Sequence, residues 1–376
     1  MNDFCGANLR TARHFHALSL DEIAERVGKT RQYVSRLEVG AARPTDSLAQ
    51  ELADALEVMP EFFFDPAIAQ IAEENVHFRR LASTKAGIRQ VVIAKGQITR
   101  LLIESLERRV NFPQVRFASE STRSAEEIEV AAEKSRRAWG LSIGPIQNLT
   151  RVAENAGAVL TTFPGVSREV DALCVPGARP LIITNGETKS VCRVRFDVAH
   201  EIAHLVMHEG IKTGDRITES EANRFASALL MPRAAIVKEL HITRSGQISW
   251  AALPELKLRW KVSKAALVMR AKHLGLIDDS RVKSAFIRLK NLGESVSESG
   301  DAQIAPEPPE VIPAAVELLT NKAGVSFIDL ARSIRVTPFL LSRIVHRTTP
   351  HIDEPQGGNV IALPFGGARI QKSIFA

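Results

Sequence analysis

The chain is poor in aromatic residues, nearly free of cysteine, and has no long apolar run. Aromatics make up 5% of its 376 residues, and Tyr33 is its only tyrosine. Three cysteines, Cys5, Cys174 and Cys192, are too few and too irregularly spaced for a disulfide scaffold or a cysteine-ligated zinc site. An odd set of free thiols is what a reducing compartment holds. No stretch reaches the ~20 apolar residues that a membrane-spanning helix needs. The opening M-N-D-F-C-G-A-N lacks the basic-then-apolar order of a secretory signal, so the cytoplasm is the expected location. A strong charge of one sign is missing too. Lys and Arg number 49 against 43 Asp and Glu, and a net charge of +6 only mildly favours an acidic partner such as nucleic acid. What is present, 45% hydrophobic and 24% charged residues, describes a globular, helix-rich chain long enough for two or three domains.

Within that composition one segment stands out. R-V-R-F-D-V-A-H-E-I-A-H-L-V-M-H, residues 193–208, contains no Gly or Pro and reads as a helix. His200 and His204 then lie one turn apart on one face, spaced to offer two imidazole nitrogens to Zn²⁺. Glu201 is placed to serve as the general base toward a water at the metal's open position. A third ligand is expected on the next helical run, T-E-S-E-A-N-R-F-A-S-A-L-L-M-P at 218–232. Glu219 and Asn223 share a face there, which fits a carboxylate ligand and an amide that orients one of the histidines. Glu221 falls on the opposite side of that helix and reads as a solvated charge. His208 follows His204 by one turn and is expected to contact substrate or support a ligand without binding metal itself, since three successive turns do not meet one ion. Zincins need a group for the developing oxyanion. Tyr33 lies far from this region in sequence, which leaves Arg193, Arg195 and His208 as candidates.

These segments, with V-S-K-A-A-L-V-M-R-A-K-H-L-G-L-I at 262–277, resemble the ImmA/IrrE family of zinc metallopeptidases over roughly residues 70–290. The resemblance implies a zincin-like, gluzincin-type site in which His200, His204 and Glu219 hold zinc and Glu201 is the base. It also implies a protein substrate, a DNA-binding repressor in a stress or mobile-element response.

The N-terminal region has a different pattern. In S-L-D-E-I-A-E-R-V-G-K-T-R-Q-Y-V-S-R-L-E-V, residues 19–39, Ser19 and Glu22 form a capping box and Val27-Gly28 makes a turn. Thr30 caps a second helix, which packs back through Val34 and Leu37. This resembles the Xre/Cro helix-turn-helix family over about residues 5–60. The resemblance places the second helix in a DNA major groove. Arg31, Gln32 and Arg36 are then the base-reading candidates, with Lys29, Thr30, Ser35 and Arg43 contacting phosphate or positioning the helix. Tyr33 is open to a thymine methyl or to packing. Residues 1–60 hold seven Lys/Arg against nine Asp/Glu, while 29–43 hold four against Glu38 alone, so binding is expected through one face.

The expected fold class is mainly α with a small β-sheet (α+β). The boundaries are a five-helix helix-turn-helix domain at 1–65, closed by Phe62 to Phe64, and a helical connector at 66–115. A zincin-like peptidase domain follows at 116–292, with a helical extension from about 240. Short strands A-V-L-T-T-F, V-D-A-L-C-V and R-P-L-I-I-T-N precede the metal helix. Residues 180–184 are expected at the sheet edge, where an extended substrate could add as a strand. The Ser/Pro/Glu-rich stretch 293–312 reads as a flexible linker, and 351–376 as a mobile tail. Between them S-F-I-D-L-A-R-S-I-R-V-T-P-F-L-L-S-R-I, at 326–344, aligns without gaps on 19–37. It reads as a degenerate helix-turn-helix at 313–350 that docks on the peptidase domain, with DNA binding as the alternative. The expected function is a DNA-binding regulator, acting as a homodimer on double-stranded operator DNA, with a zinc endopeptidase that cuts a repressor or the chain itself. The alternatives are a non-proteolytic transcription factor that uses the zincin domain as a sensor, and a toxin–antitoxin or phage-control regulator.

Overall fold

The computed structural model describes residues 3–66, 68, 71, 77–78, 85–122, 124–163, 172–185, 190–211 and 213–346. The expected tail at 351–376 lies outside the described residues.

The N-terminal domain comprises α1 (Gly6–Phe15), α2 (Leu20–Arg26), α3 (Arg31–Glu38), α4 (Asp46–Ala55) and a 3₁₀ turn at Pro60–Phe64. Its local signals act as the sequence suggests. Ser19 and Glu22 cap each other's backbone at 3.2 and 2.7 Å, and the Thr30 hydroxyl accepts from Tyr33 N at 3.2 Å. Gly28 turns the chain at φ +59°. Leu9, Ile23, Val34, Leu37, Leu52, Phe62 and Phe63 are fully buried, so the phenylalanine cluster closes this core. Gly6 cannot carry a side chain, because a Cβ there would lie 2.1 Å from the Leu37 carbonyl oxygen where α1 crosses α3.

A 22-residue helix, α5 (Ala86–Glu107), links this domain to a four-stranded sheet. The strands are β1 (His77–Phe78), β2 (Val159–Thr162), β3 (Ala172–Val175) and β4 (Leu181–Thr184), in the order β1-β3-β4-β2. β2 runs parallel to β4, and the other pairs are antiparallel. Alternation assigns each side chain to a layer. Val159, Leu173, Val175, Leu181 and Ile183 join the core of α5 and the N-terminal domain, whereas Leu160, Cys174 and Ile182 face the metal-motif helix. β4 was expected at an edge for substrate pairing. It is interior, with β2 and β3 hydrogen-bonded on its two sides, and its four residues are buried. A run apolar on both faces belongs in the middle of a sheet.

On the second face lie α6 (Ala125–Ala138), α7 (Leu149–Asn155), α8 (Val191–Met207) and α9 (Arg216–Leu230). The extension follows as α10 (Arg233–Glu239), α11 (Leu253–Trp260), α12 (Lys264–His273) and α13 (Asp279–Asn291), with Val262 and Ser263 at the α11–α12 junction.

Residues 293–311 depart from the linker expectation. They run as a strap held by a carboxylate at each step. Lys257, fully buried, donates to Glu298 at 2.8 Å and Asp301 at 2.5 Å. Lys264 donates to Glu294 at 2.8 Å. Glu307 pairs with buried Arg195 and accepts from Leu149 N at 2.7 Å, capping α7. Glu154 in turn accepts from the amides of Glu310 and Val311, 3.1 Å away, at the start of the next helix. The acidic composition suggested solvation, but these carboxylates meet buried cations and helix N-termini.

The chain then forms α14 (Val311–Asn321), α15 (Phe327–Ser333) and α16 (Pro338–Ile344). The last two repeat the helix-turn-helix of α2 and α3. Ser326 and Thr337 are the caps, and Arg335 at φ +57° takes the left-handed place of Gly28. This unit docks mainly on the N-terminal domain and α5, away from the helices that carry the metal motif. Val336 bridges Val58, Thr337 N donates to Glu57 O at 3.0 Å, and Ser333 bonds Ser105 of α5 at 2.7 Å. In α16 Leu340, Leu341, Ser342 and Ile344 are buried, and Pro338 and Phe339 stand where α3 has Arg31 and Gln32. The positions expected to read bases in the first unit thus carry half-buried Pro338 and exposed Phe339, which lack the polar groups of Arg31 and Gln32.

Replacing Lys257 with Met strands two largely buried carboxylates, a cost of about 3 kcal/mol. Glutamyl endopeptidase should cut the strap at 293–311 readily in that variant and slowly in the parent chain. Equal, rapid cutting of both would restore the linker reading.

Candidate metal centre

α8 and α9 pack side by side and place three donor groups within one small sphere. The ligand atoms of His200, His204 and Glu219 lie within 4.8 Å of one another. Glu219 Oε2 is 3.2 Å from His200 Nε2, and Glu219 Oε1 is 3.4 Å from His204 Nε2. The two Nε2 atoms are 3.1 Å apart. Both imidazoles are buried, and Glu201, between them in sequence, is 0% exposed.

The far nitrogens of the rings decide what the near ones can do. His200 Nδ1 lies 3.1 Å from Asn223 Oδ1. Since that oxygen accepts, the neutral ring carries its proton on Nδ1 and keeps a lone pair on Nε2. His204 Nδ1 lies 2.9 Å from His208 Nδ1, and His208 Nε2 lies 3.0 Å from Glu221 Oε2. With neutral rings, His208 donating through Nε2 to Glu221 and accepting at Nδ1 from His204 leaves His204 Nε2 as a lone-pair donor. Both rings therefore present Nε2 toward Glu219, the tautomer a metal ligand needs.

The residues fit a metal. Two imidazoles and a carboxylate form a three-ligand set suited to zinc with a position left open, and Glu219 Oε1 is buried without a hydrogen-bond donor. Cys192 is not among the clustered donors, and Cys174 faces the site only as a neighbour. Its thiol is pushed well up, first by burial and then by the charge of Glu201.

Several expectations change here. Glu221 is no solvated surface charge, because it anchors His208. The helical wheel set it opposite Glu219, yet α8 ends at Met207 and the chain beyond brings the His208 ring round to meet it. His208 does not face a substrate, since both its ring nitrogens are engaged. Arg195 is ruled out as an oxyanion group. It is 2% exposed and spends its guanidinium on Ile146 O at 2.8 Å, Lys261 O at 3.1 Å and Glu307. Arg193 donates to Ser295 O of the strap and reaches a cleft beside Glu219. The sequence offered His208 as support for a ligand, and that option holds; the part of Glu221 was missed because nothing local tells a carboxylate that meets the next helix from a solvated one.

In the N-terminal domain Lys29, Arg31, Gln32, Arg36 and Arg43 are exposed on and around the start of α3. Ser35 is half-buried, and Thr30 is occupied as the helix cap. Tyr33 packs against the core and its hydroxyl lies 3.4 Å from Arg43 O. Arg31 and Arg43 have exposed acidic neighbours, Asp21 at 3.7 Å and Asp3 at 3.0 Å, which screen little at such exposure.

His208→Ala should weaken zinc binding about 10- to 100-fold while the helix content is retained. A competition titration with a chromophoric chelator measures this, and an unchanged affinity would remove His208 from the support of His204.

The family comparisons follow the same division of the chain. Residues 16–63 match the helix-turn-helix family model, and residues 153–272 match the IrrE N-terminal-like domain of a metallopeptidase family. No curated protein matches the chain. The second match runs from the helix before β2 to α12 and contains the whole candidate ligand set. The chain thus joins an N-terminal helix-turn-helix DNA-binding domain to a peptidase-family domain of the ImmA/IrrE type.

Proposed function

We propose that the protein is a DNA-binding regulator with a zinc-dependent endopeptidase, acting on a repressor or a related regulatory protein. The observation that carries this reading is the orientation of both histidines: Asn223 and His208 lie against the two Nδ1 atoms, so both Nε2 atoms face Glu219. A purely structural pair of buried histidines has no need of that arrangement.

In this reading zinc, held by His200, His204 and Glu219, supplies Lewis-acid polarisation of water and of the scissile carbonyl. Glu201 takes the proton from the attacking water and delivers it to the amide nitrogen as the peptide bond breaks. Its full burial keeps the carboxylate out of competition with bulk water. Asn223, His208 and Glu221 orient the ligands. Arg31, Gln32 and Arg36 read base edges, with Lys29 and Arg43 on phosphates and Ser35 beside them, on double-stranded operator DNA. Dimeric binding to two-fold operators and a cytoplasmic location complete the reading. Among the described residues no helix is long and apolar enough to cross a membrane.

Glu201→Gln should bind zinc with the parent's stoichiometry and cleave a candidate repressor at least about 10³-fold more slowly. Cleavage at the parent's rate would contradict the endopeptidase reading. Arg31→Ala should weaken DNA binding by about 1–3 kcal/mol in a gel-shift assay and leave zinc content unchanged. Unaltered affinity for every DNA tested would move base reading away from α3.

A further inference from the structure

With β4 interior, a substrate chain cannot reach the metal centre by adding to that strand. Glu219 and Asn223 instead contribute to the wall of a cleft of about 610 Å³ between α8, α9, α12 and α13. Phe196, Ala266, Met269 and Phe286 give it apolar walls, and Met269 can adjust to the shape of what enters. Phe286 is 40% exposed at the cleft, and Ile287 next to it in α13 is 52% exposed.

The rim is positive. Arg216 lines the cleft at the first turn of α9. Lys283 and Lys290 lie about one turn to either side of Phe286 on α13, so they share the face that borders the cleft. All three are exposed, and among the described residues none is engaged by a carboxylate. Arg193, tied to the strap through Ser295 O, adds a fourth cation at the opposite wall.

We propose that this cleft is where a polypeptide substrate docks. An extended segment seats an aliphatic or aromatic side chain against Phe196, Ala266, Met269 and Phe286, and sets acidic residues beside Arg216, Lys283 and Lys290. The proposal rests on the endopeptidase reading for its purpose, while its test needs no turnover. Apolar contact supplies the affinity, and the basic rim selects among partners by charge. The helical extension, α10 to α13, thereby becomes the second wall of the substrate site, facing the ligand-bearing α8 and α9.

The test uses the full chain carrying Glu201→Gln and loaded with zinc. Two fluorescein-labelled dodecapeptides are the probes, each with a central Leu in Gly/Ser spacers, flanked in one by Asp and in the other by Lys. Fluorescence anisotropy should show the acidic peptide binding about tenfold more tightly than its Lys counterpart. Arg216→Glu should reduce that ratio about tenfold, and Ala266→Trp, which fills the cleft, should weaken the acidic peptide to a similar extent. Arg216 is exposed at a first-turn position where Glu is favoured by the helix dipole, so this variant keeps its fold. Equal affinity for the two peptides, or a ratio untouched by Arg216→Glu, overturns the proposal. With Glu201 restored, a chain that shows the acidic preference but cuts no peptide retains the cleft and loses the endopeptidase reading. One that cuts peptides without charge preference retains the endopeptidase and loses the cleft.

Discussion

The packing of α8 on α9 is the constraint around which the molecule is arranged. His200 and His204 sit on α8, while Glu219, Asn223 and Glu221 sit on α9, so most contacts that order the centre cross that one helix pair. A rotation of either helix by one residue, about 100°, would separate the ligands from their supports. The pair is held on one side by the sheet, through Cys174 and Ile182, and on the other by α6 and α12. Buried Arg270 of α12 ties the second side together, donating to Glu129 of α6 at 2.5 and 2.7 Å and to Met231 O at the end of α9 at 2.8 Å.

The helix-turn-helix domain and the part that carries the metal motif form a continuous structure. α5 is shared, since its inner face packs both on α1 and on the sheet whose other side carries α8. A second route runs through the strap, from Lys257 and Lys264 of the extension, past Arg195 of α8, to α14 and the C-terminal helix-turn-helix unit that braces the N-terminal domain. The two ends of the chain are therefore joined by packed elements along two routes.

Much of this was legible in the sequence where chemistry is local. Ser19, Glu22, Thr30 and Gly28 define the first helix-turn-helix with signals a few residues long, and the H-E-x-x-H spacing needs only a helix to bring two histidines together. Glu219 with Asn223 could be read for the same reason. The internal repeat at 326–344 was legible as a fold, but its docking surface was not, because Val336 and Thr337 meet Val58 and Glu57 across nearly three hundred residues. The strap failed for a related reason. Glu294, Glu298 and Glu307 look like solvated charges until Lys264, Lys257 and Arg195 are seen buried beneath them. Strand order and the role of Glu221 likewise depend on which elements become neighbours, and local periodicity carries no information about that.

The central claim is that two imidazoles and one carboxylate of this chain hold a single zinc ion. X-ray absorption spectroscopy at the zinc edge of the purified full chain tests it most directly, together with metal stoichiometry. The account predicts one zinc per chain and a first shell of two imidazole nitrogens with oxygen donors at about 2.0–2.2 Å and no sulfur. Histidine scattering should fall in His200→Ala. A sulfur shell at about 2.3 Å, or a chain that retains no zinc after purification and reloading, would contradict it.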